Sequence, residues 1–529
     1  MNRTGLFAAV AVAALLGAGA TPAVADEPGD RAQAVGLFET GGPVVSGRAH
    51  DALLGSAEGL REFLATGLVT AKEQDERLLV DQALAAGGPV VRARAQKALD
   101  GTPDDVRAFL ATGLEQAREV DERVQVNQLL SSGGPVVKQA AQKALDGTPA
   151  DVRAFLRTGL ARARADDDRV RASQIMSAGG PEVKAAAQRA FDGTIDDVRY
   201  FLAITSQVTA AGDAEVANVS HQADLARDAA ARNDKAQAQA AADAAAKLAR
   251  DARQADTDRL NAQMAKGQAD AQAASRADTQ AKADADARAK EASRLLAEKD
   301  AQLAEALAPG TDPALAVTDG RKASLYLLRN GGSAVRTAAR AALSGSDADL
   351  ASFVRAGLPA AQEADDRAAV SAIAHGDGKP ELRQAAADAL AGSWADVKEF
   401  LRTKQYPGKD TDDRVAVNRL LATGGPATQA AAQRALDGTI EDIRAFLETG
   451  QYLALVNDQR IAISRAMTVG GPELYAVSQA VLDAPESALA PFLADELPRA
   501  QQRDAAMADH VAKVNGLVAA AADSASRVR

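Results

Sequence analysis

Residues 133–159 read GGPVVKQAAQKALDGTPADVRAFLRTG, and the pattern returns along the chain every 46 residues. The Gly-Gly-Pro triplets of the first block begin at Gly41, Gly87, Gly133 and Gly179. A phenylalanine lies 22 residues after each triplet, at Phe63, Phe109, Phe155 and Phe201. Past residue 320 the pattern resumes, with degraded triplets near residues 331 and 376, clean ones at Gly424 and Gly470, and phenylalanines at Phe353, Phe400, Phe446 and Phe492. Because several positions keep one register, the chain contains eight repeats in two blocks of four.

Each repeat is predicted to form three helices and no strand. A Gly-Gly-Pro triplet ends one helix and begins the next, because glycine readily takes the left-handed conformation after a helix and proline fits the first helical position. Thr148, Pro149 and Asp151 read as an N-cap, a proline at N1 and an acid at N3 of the next helix, which Thr158-Gly159 interrupts. The predicted fold is all-α, a helical-repeat solenoid with two blocks of four 46-residue repeats separated by a long alanine-rich helical or coiled-coil segment.

Two repeated groups of charged residues have both a structural and a binding interpretation. The acidic run at residues 100–105 resembles a calcium loop, but the ligand spacing of an EF-hand is missing, so we expect helix capping and no metal site. An aspartate followed two residues later by an arginine also recurs. This pair forms either a ladder of ion pairs between repeats or a stripe that binds an anionic polymer. The arginines of this candidate binding stripe are Arg77, Arg123, Arg169, Arg367, Arg414 and Arg460, and their aspartates are Asp75, Asp121, Asp167, Asp365, Asp412 and Asp458.

The run at residues 98–114, ALDGTPDDVRAFLATGL, resembles the ALF repeat, a short repeat of secreted actinobacterial proteins. The resemblance covers both blocks and implies a helical array outside the cell, in a family whose function is not established. Some relatives resemble the leading part of polymorphic toxins, with a toxin domain at the C-terminus. This chain departs from that pattern, because no toxin-like segment is recognised after the last repeat.

The segment from residue 206 to residue 308 differs in composition from both blocks. It is rich in alanine and contains no aromatic residue, and alanine is the strongest helix former. Its large apolar residues keep no strict heptad, so a leucine coiled coil is not expected. Three arrangements stay open: one exposed rod, an alanine-seamed hairpin that turns near Gly267, and a disordered segment. We expect the segment to act as a spacer, with pairing to another helix, including self-association through residues 206–308, as the alternative.

The first 25 residues are predicted to be a secretory signal peptide, because a basic start precedes a short apolar run and the sequence Ala23-Val24-Ala25. We expect cleavage near Ala25 and a secreted protein without a transmembrane segment. The chain contains no cysteine, so disulfides are excluded. The predicted domains are the signal peptide at 1–25, the first block at 26–205, the spacer at 206–308, the second block at 309–498 and a C-terminal capping helix at 499–529.

Charge and motifs favour a binding protein over an enzyme. The net charge is −11 with interleaved signs, whereas a nucleic-acid binder needs a basic stripe. The four histidines are expected to be single surface residues without a recurrent acidic partner, and no catalytic, cofactor or metal motif is recognised; they are His50, His221, His375 and His510. We therefore expect a secreted scaffold that binds a protein or envelope component, at the envelope or outside the cell, without catalysis. The alternatives are a toxin-associated delivery or decoy protein without its effector domain, and a hydrolase without a recognisable signature.

Overall fold

A computed structural model describes residues 27–528, and within them every regular element is a helix, which confirms the predicted all-α repeat fold. The predicted signal peptide lies outside the described residues. None of the helices in the described part of the chain is both long and apolar enough to cross a membrane.

The helices of the first block are α1 (Glu27–Thr40), α2 (Pro43–Leu54), α3 (Ala57–Glu62), α4 (Leu68–Ala86), α5 (Pro89–Leu99), α6 (Pro103–Ala108), α7 (Leu114–Ser132), α8 (Pro135–Asp146), α9 (Pro149–Ala154), α10 (Leu160–Ala178), α11 (Pro181–Asp192), α12 (Ile195–Tyr200) and α13 (Ser206–Ala231). A single helix follows, α14 (Lys235–Leu307). The helices of the second block are α15 (Pro313–Asn330), α16 (Ser333–Ser344), α17 (Asp347–Ser352), α18 (Leu358–Ala374), α19 (Pro380–Ala391), α20 (Trp394–Thr403), α21 (Lys409–Thr423), α22 (Pro426–Asp437), α23 (Ile440–Ala445), α24 (Gln451–Val469), α25 (Pro472–Leu482), α26 (Leu489–Pro491) and α27 (Leu497–Ser526).

The short and long helices of a repeat are joined by one π-helical turn that begins at the repeat phenylalanine. In the third repeat this turn spans Phe155–Gly159 and continues directly into α10. The prediction that Thr158-Gly159 interrupts the helix is therefore wrong. The Phe155 ring is buried, and a Cβ on Gly159 would lie 3.1 Å from its Cδ2 atom. Glycine at this position therefore lets the ring lie close along its own helix. The sixth repeat differs, because α20 ends at Thr403 and the next residue, Lys404, takes the left-handed conformation before α21 begins.

The Gly-Gly-Pro glycines are extended, so the prediction that a triplet glycine takes the left-handed conformation is wrong. Gly133 has φ −71° and ψ 167°, and Gly134 has φ −72° and ψ 177°. Glycine is required for space instead. A Cβ on Gly133 would lie 2.4 Å from a Val137 methyl, and one on Gly134 would lie 2.4 Å from the Asp167 carboxyl carbon. The first glycine thus leaves space for a side chain of the next helix, and the second leaves space for an aspartate side chain of a neighbouring helix.

The first compact unit contains the described residues up to Ala86, together with Ala93–Thr112 and Ala292–Gln405. Within it the beginnings of the two blocks share one hydrophobic core, in which Val35 and Phe38 of α1 join Leu325 and Leu328 of α15. The Arg340 guanidinium on α16 also donates two hydrogen bonds to the Glu39 carboxylate, at 2.9 and 2.6 Å.

The second compact unit contains Gly87–Arg92, Gly113–Glu291 and the described residues from Tyr406 onward. Here the last helices of the two blocks, α13 and α27, pack together with the first turns of α14 around a core made largely of alanine. Small side chains let helix backbones approach closely. The core residues include Val219 and Ala226 of α13, Ala241 and Ala245 of α14, and Val514, Ala521 and Ala525 of α27.

The alanine-rich segment is helical and turns at residues 232–234, where Asn233 has φ 59°. Its first helix, α13, falls in the predicted spacer, but it follows a π-helical turn as the long helices of most other repeats do and is therefore counted with the first block. The predicted alternatives of disorder and of a turn near Gly267 are wrong, because α14 continues through Gly267 for 73 residues, a length of about 110 Å. Gly267 instead allows α14 and α25 to lie close together, since a Cβ there would lie 2.9 Å from the Ala480 Cβ of α25.

Candidate binding site

The aspartates of the repeated aspartate–arginine pairs connect one helix to the start of another. The Val136 and Val137 amides at the start of α8 donate to the Asp167 carboxylate of α10, at 2.8 and 3.0 Å. A carboxylate at a helix N-terminus satisfies amides that have no partner within the helix. The same arrangement recurs at what we term the bridging aspartates, Asp75, Asp121, Asp167, Asp213, Asp365, Asp458 and Asp504. Asp412 of the sixth repeat accepts a hydrogen bond from the Tyr406 hydroxyl at 2.8 Å.

The arginines of the candidate binding stripe lie close to the ends of neighbouring helices. Four of them donate to backbone carbonyls: Arg77 to Leu99 at 3.1 Å, Arg123 to Leu145 at 3.3 Å, Arg367 to Leu390 at 2.9 Å and Arg460 to Leu482 at 3.1 Å. Arg169 pairs with Asp166 at 3.2 Å, and Arg414 is exposed on α21. These bonds give four of the guanidiniums a structural role, and the stripe as a ligand surface stays a prediction.

A ladder of ion pairs between helices was missed from the sequence, although its arginines keep the 46-residue register. Arg153 on α9 pairs with Glu119 and Glu122 of α7 at 3.0 and 3.1 Å, and Arg199 pairs with Asp168 at 3.2 Å. Arg107 and Arg444 pair with acids on α4 and α21 in the same way. The acids lie 31 or 34 residues earlier, a spacing that becomes meaningful only when the stacking of helices is known.

The acidic run at residues 100–105 caps a helix, as predicted. The Thr102 amide and hydroxyl both donate to Asp105, at 2.8 and 2.7 Å, and the Asp105 amide donates back to the hydroxyl. The bonds from Thr102 hold the pKa of Asp105 below its ordinary value. The carboxylate is thus occupied by the N-terminus of α6.

The second compact unit contains a cavity of about 460 Å³ that is partly open to water. Six helices, α11, α12, α13, α14, α25 and α27, and the π-helical turn Phe201–Thr205 supply its lining. We call it the end cavity, because α13 and α27 are the last helices of the two blocks. Its apolar wall includes Ala186, Phe201, Ile204, Val208, Ala252, Ala506 and Met507.

Two glutamates of the end cavity occupy the same place in different repeats. Glu182 and Glu473 each follow the Gly-Gly-Pro of the last repeat in a block, where Val136 stands in the third repeat. Their amides donate to the bridging aspartates Asp213 and Asp504, at 3.1 and 2.9 Å. The element that aligns ordinary repeats therefore positions two carboxylates at this cavity.

Glu473 is the centre of a buried ion cluster. Its side chain is 6% exposed and pairs with Arg259 of α14 at 2.8 Å and with Arg503 of α27 at 3.3 Å. Arg503 also pairs with Glu496 at 2.7 Å, and its guanidinium lies 4.6 Å from the centre of the Tyr200 ring. Burial raises the pKa of Tyr200, so its hydroxyl stays protonated. Each buried charge in this cluster therefore has an opposite charge beside it.

His510 contradicts the prediction that the histidines are single surface residues. Its side chain is 12% exposed, and its Nδ1 and Nε2 atoms lie 2.9 Å from Glu182 and from Glu215 of α13. Gly212 gives these groups room, because a Cβ there would lie 2.6 Å from a Glu182 oxygen. Burial lowers the pKa of His510, but the hydrogen bonds to both glutamates outweigh it, so the net shift is upward. No sequence pattern could have joined His510 to residues about 300 positions away, although the Gly-Gly-Pro-Glu variant marked one partner.

A family model described as short repeats of unknown function matches seven segments that make up more than half of the chain, which confirms the resemblance carried by residues 98–114. The matched segments are residues 31–71, 77–117, 123–163, 169–208, 325–361, 367–407 and 414–454. The eighth repeat is not among them. Its helix α25 nevertheless begins as in the other repeats, because the Glu473 and Leu474 amides donate to the Asp504 carboxylate. No curated protein was found to be similar to the chain.

Proposed function

Since the chain belongs to the ALF repeat family, we propose that it is a secreted binding protein in which the helical repeats form a scaffold and the end cavity holds a small-molecule ligand. Secretion is proposed from the signal-peptide pattern of residues 1–25. The protein acts at the cell envelope or outside the cell, where the ligand is a component of the envelope or of the medium.

The end cavity is the observation that carries this proposal. Small-molecule sites are mainly apolar clefts of about 300–1,000 Å³ with a few fixed polar groups. The end cavity has a volume of about 460 Å³, and Phe201, Ile204 and Met507 lie in its wall. It is formed where repeated helices give way to α13, α14 and α27, so the regular repeats support a site that none of them contains alone.

We propose binding without catalysis because the titratable groups of the cavity that are not exposed to water are already paired with one another. His510 lies between Glu182 and Glu215, and Glu473 lies between two arginines. A general acid or base must be able to exchange a proton with a bound substrate. Here each such group would first have to leave its partner.

Retention of a compound from the natural environment tests the proposal. The purified full chain is incubated with a methanol extract of the producing organism's culture fluid and is separated from free compounds by gel filtration. The compounds released on denaturation are then identified by mass spectrometry. We expect one compound at close to one equivalent per chain.

A pair of variants in α27 tests whether the compound binds in the cavity. Ala506→Phe fills the cavity and is expected to abolish retention, whereas Ala505→Phe places the same side chain on the exposed face of the same helix and is expected to preserve it. Retention that is absent from the unmodified chain, or equal in both variants, would overturn the proposed function.

A further inference from the structure

The charges around the end cavity identify the class of molecule that it takes. Resting on the proposed function, we propose that the ligand is an uncharged, largely apolar molecule. The inference depends on three properties of the cavity: the composition of its wall, the pairing of its charged side chains, and its volume.

The wall of the cavity is apolar along several helices. Alanines on α11, α14 and α27 keep the helices' side chains short at this point, and Phe201, Ile204, Val208 and Met507 supply the larger surfaces. Burial of apolar surface contributes about 25 cal/mol per Å². A hydrocarbon group therefore gains affinity from this wall without any specific polar contact.

The charged side chains that are not fully exposed are paired within the protein. They form three groups: Glu182 and Glu215 with His510; Asp197 with Arg499; and Glu473 and Asp256 with Arg259 and Arg503. The distances in these groups run from 2.5 Å for Asp197–Arg499 to 3.5 Å for Asp256–Arg259.

This pairing disfavours a charged ligand. A carboxylate or an ammonium group that entered the cavity would lose its hydration, and the side chains of opposite charge are already engaged. The three exposed charged residues of the lining, Arg189, Asp509 and Lys513, are in contact with water and have mixed signs. Water screens them, so they select weakly for either sign.

The volume sets the size of the molecule. A dry apolar cavity of about 150 Å³ binds benzene, and the end cavity, at about 460 Å³, is roughly three times larger. A ten-carbon chain or a fused-ring hydrocarbon skeleton falls within this range. The proposed ligand is therefore an uncharged compound of that size, such as a long-chain alcohol.

Three ligands with the same ten-carbon chain test the proposal: decan-1-ol, decanoate and decylammonium. Each is titrated against the full chain carrying the neutral fluorescent probe N-phenyl-1-naphthylamine, and displacement is measured at one pH and ionic strength. We expect decan-1-ol to displace the probe at a concentration at least tenfold lower than either ion does. Ala506→Phe is expected to abolish probe binding, and Ala505→Phe is expected to leave it unchanged.

A second pair of variants guards against a folding defect in Ala506→Phe. Ala252→Leu fills the cavity from α14, and Ala283→Leu makes the same change on an exposed face of that helix. Tighter binding of an ion than of decan-1-ol overturns the inference about ligand class and leaves the proposed function standing. If none of the three ligands displaces the probe while a compound from culture fluid is retained, the inference is likewise overturned and the function stands. If neither is bound, both proposals are rejected.

Discussion

At the scale of single residues, the bridging aspartates and the triplet glycines depend on each other. The carboxylate of Asp167 reaches the amides of Val136 and Val137 only because Gly134 has no side chain. The glycine is therefore needed for a contact between helices. A helical glycine, Gly36, provides a matched control for its substitution by alanine. At Gly36, in the middle of α1, an added Cβ would have no atom within 4 Å apart from its chain neighbours and the backbone of its own helix.

Gly134→Ala and Gly36→Ala are expected to change stability in opposite directions. Alanine at 134 displaces the Asp167 carboxylate, and loss of hydrogen bonds to a charged group costs about 2 kcal/mol. Alanine at 36 favours the helix over the unfolded chain and stabilises it by about 1 kcal/mol. Urea unfolding followed by circular dichroism measures both changes. Equal effects of the two substitutions would show that the bridging contact contributes little.

His510 makes stability depend on pH. Its pKa is raised in the folded protein, so its contribution is fully present below about pH 6.5, the unfolded value, and is lost as pH rises through the folded pKa. The melting temperature of the unmodified chain should therefore exceed that of His510→Gln at pH 5.5, and the difference should shrink by pH 8.5. His221→Gln, at an exposed position, should show no such trend. A difference that is constant with pH would contradict the ion-pair account.

At the scale of helices, the alanine core between α13, α14 and α27 explains why this segment contains so few large apolar residues. Ala521 of α27 is completely buried in that core, whereas Ala520 beside it is exposed. Close helix packing leaves no volume for a longer side chain, and added methyl groups in a packed core cost about 1–3 kcal/mol.

Ala521→Leu is therefore expected to lower the free energy of unfolding, and Ala520→Leu is expected to leave it nearly unchanged. Hydrogen exchange gives the local readout, because loss of protection should concentrate in α13 and the last turns of α27. Protection that stays intact in both variants would contradict the packing described for these helices.

At the scale of the whole molecule, both blocks contribute to each compact unit. Residues 26–308 and 309–529, produced separately, would each expose part of two shared cores, one around Phe38 and Leu325 and one around Ala226 and Ala521. We expect the two fragments to associate on mixing and to co-elute as a one-to-one complex in gel filtration. Arg340→Glu should weaken that complex, because it sets a like charge against Glu39. Two stable fragments that stay separate on mixing would contradict the shared cores.

The parts of the structure that could be predicted depend on residues that are close in sequence. The parts that could not be predicted depend on contacts between residues far apart in sequence. The helices, the capping boxes such as Thr102–Asp105 and the eight repeats follow from signals within 46 residues, and the structure confirms them. The contacts that join the blocks, such as Arg340–Glu39 and His510–Glu182, connect residues 301 and 328 positions apart and leave no periodic trace. The end cavity lies among such contacts. Its local signal is a glutamate after Gly-Gly-Pro in the last repeat of each block, where the other Gly-Gly-Pro triplets are followed by valine or alanine.

A crystal structure of the full chain soaked with decan-1-ol tests most directly whether the end cavity is a site for an uncharged apolar molecule. We predict continuous density for the ten-carbon chain against Phe201, Ile204 and Met507, with the pairs of His510 and Glu473 intact. Ordered water that fills the cavity, with the alcohol absent from it, would contradict the account.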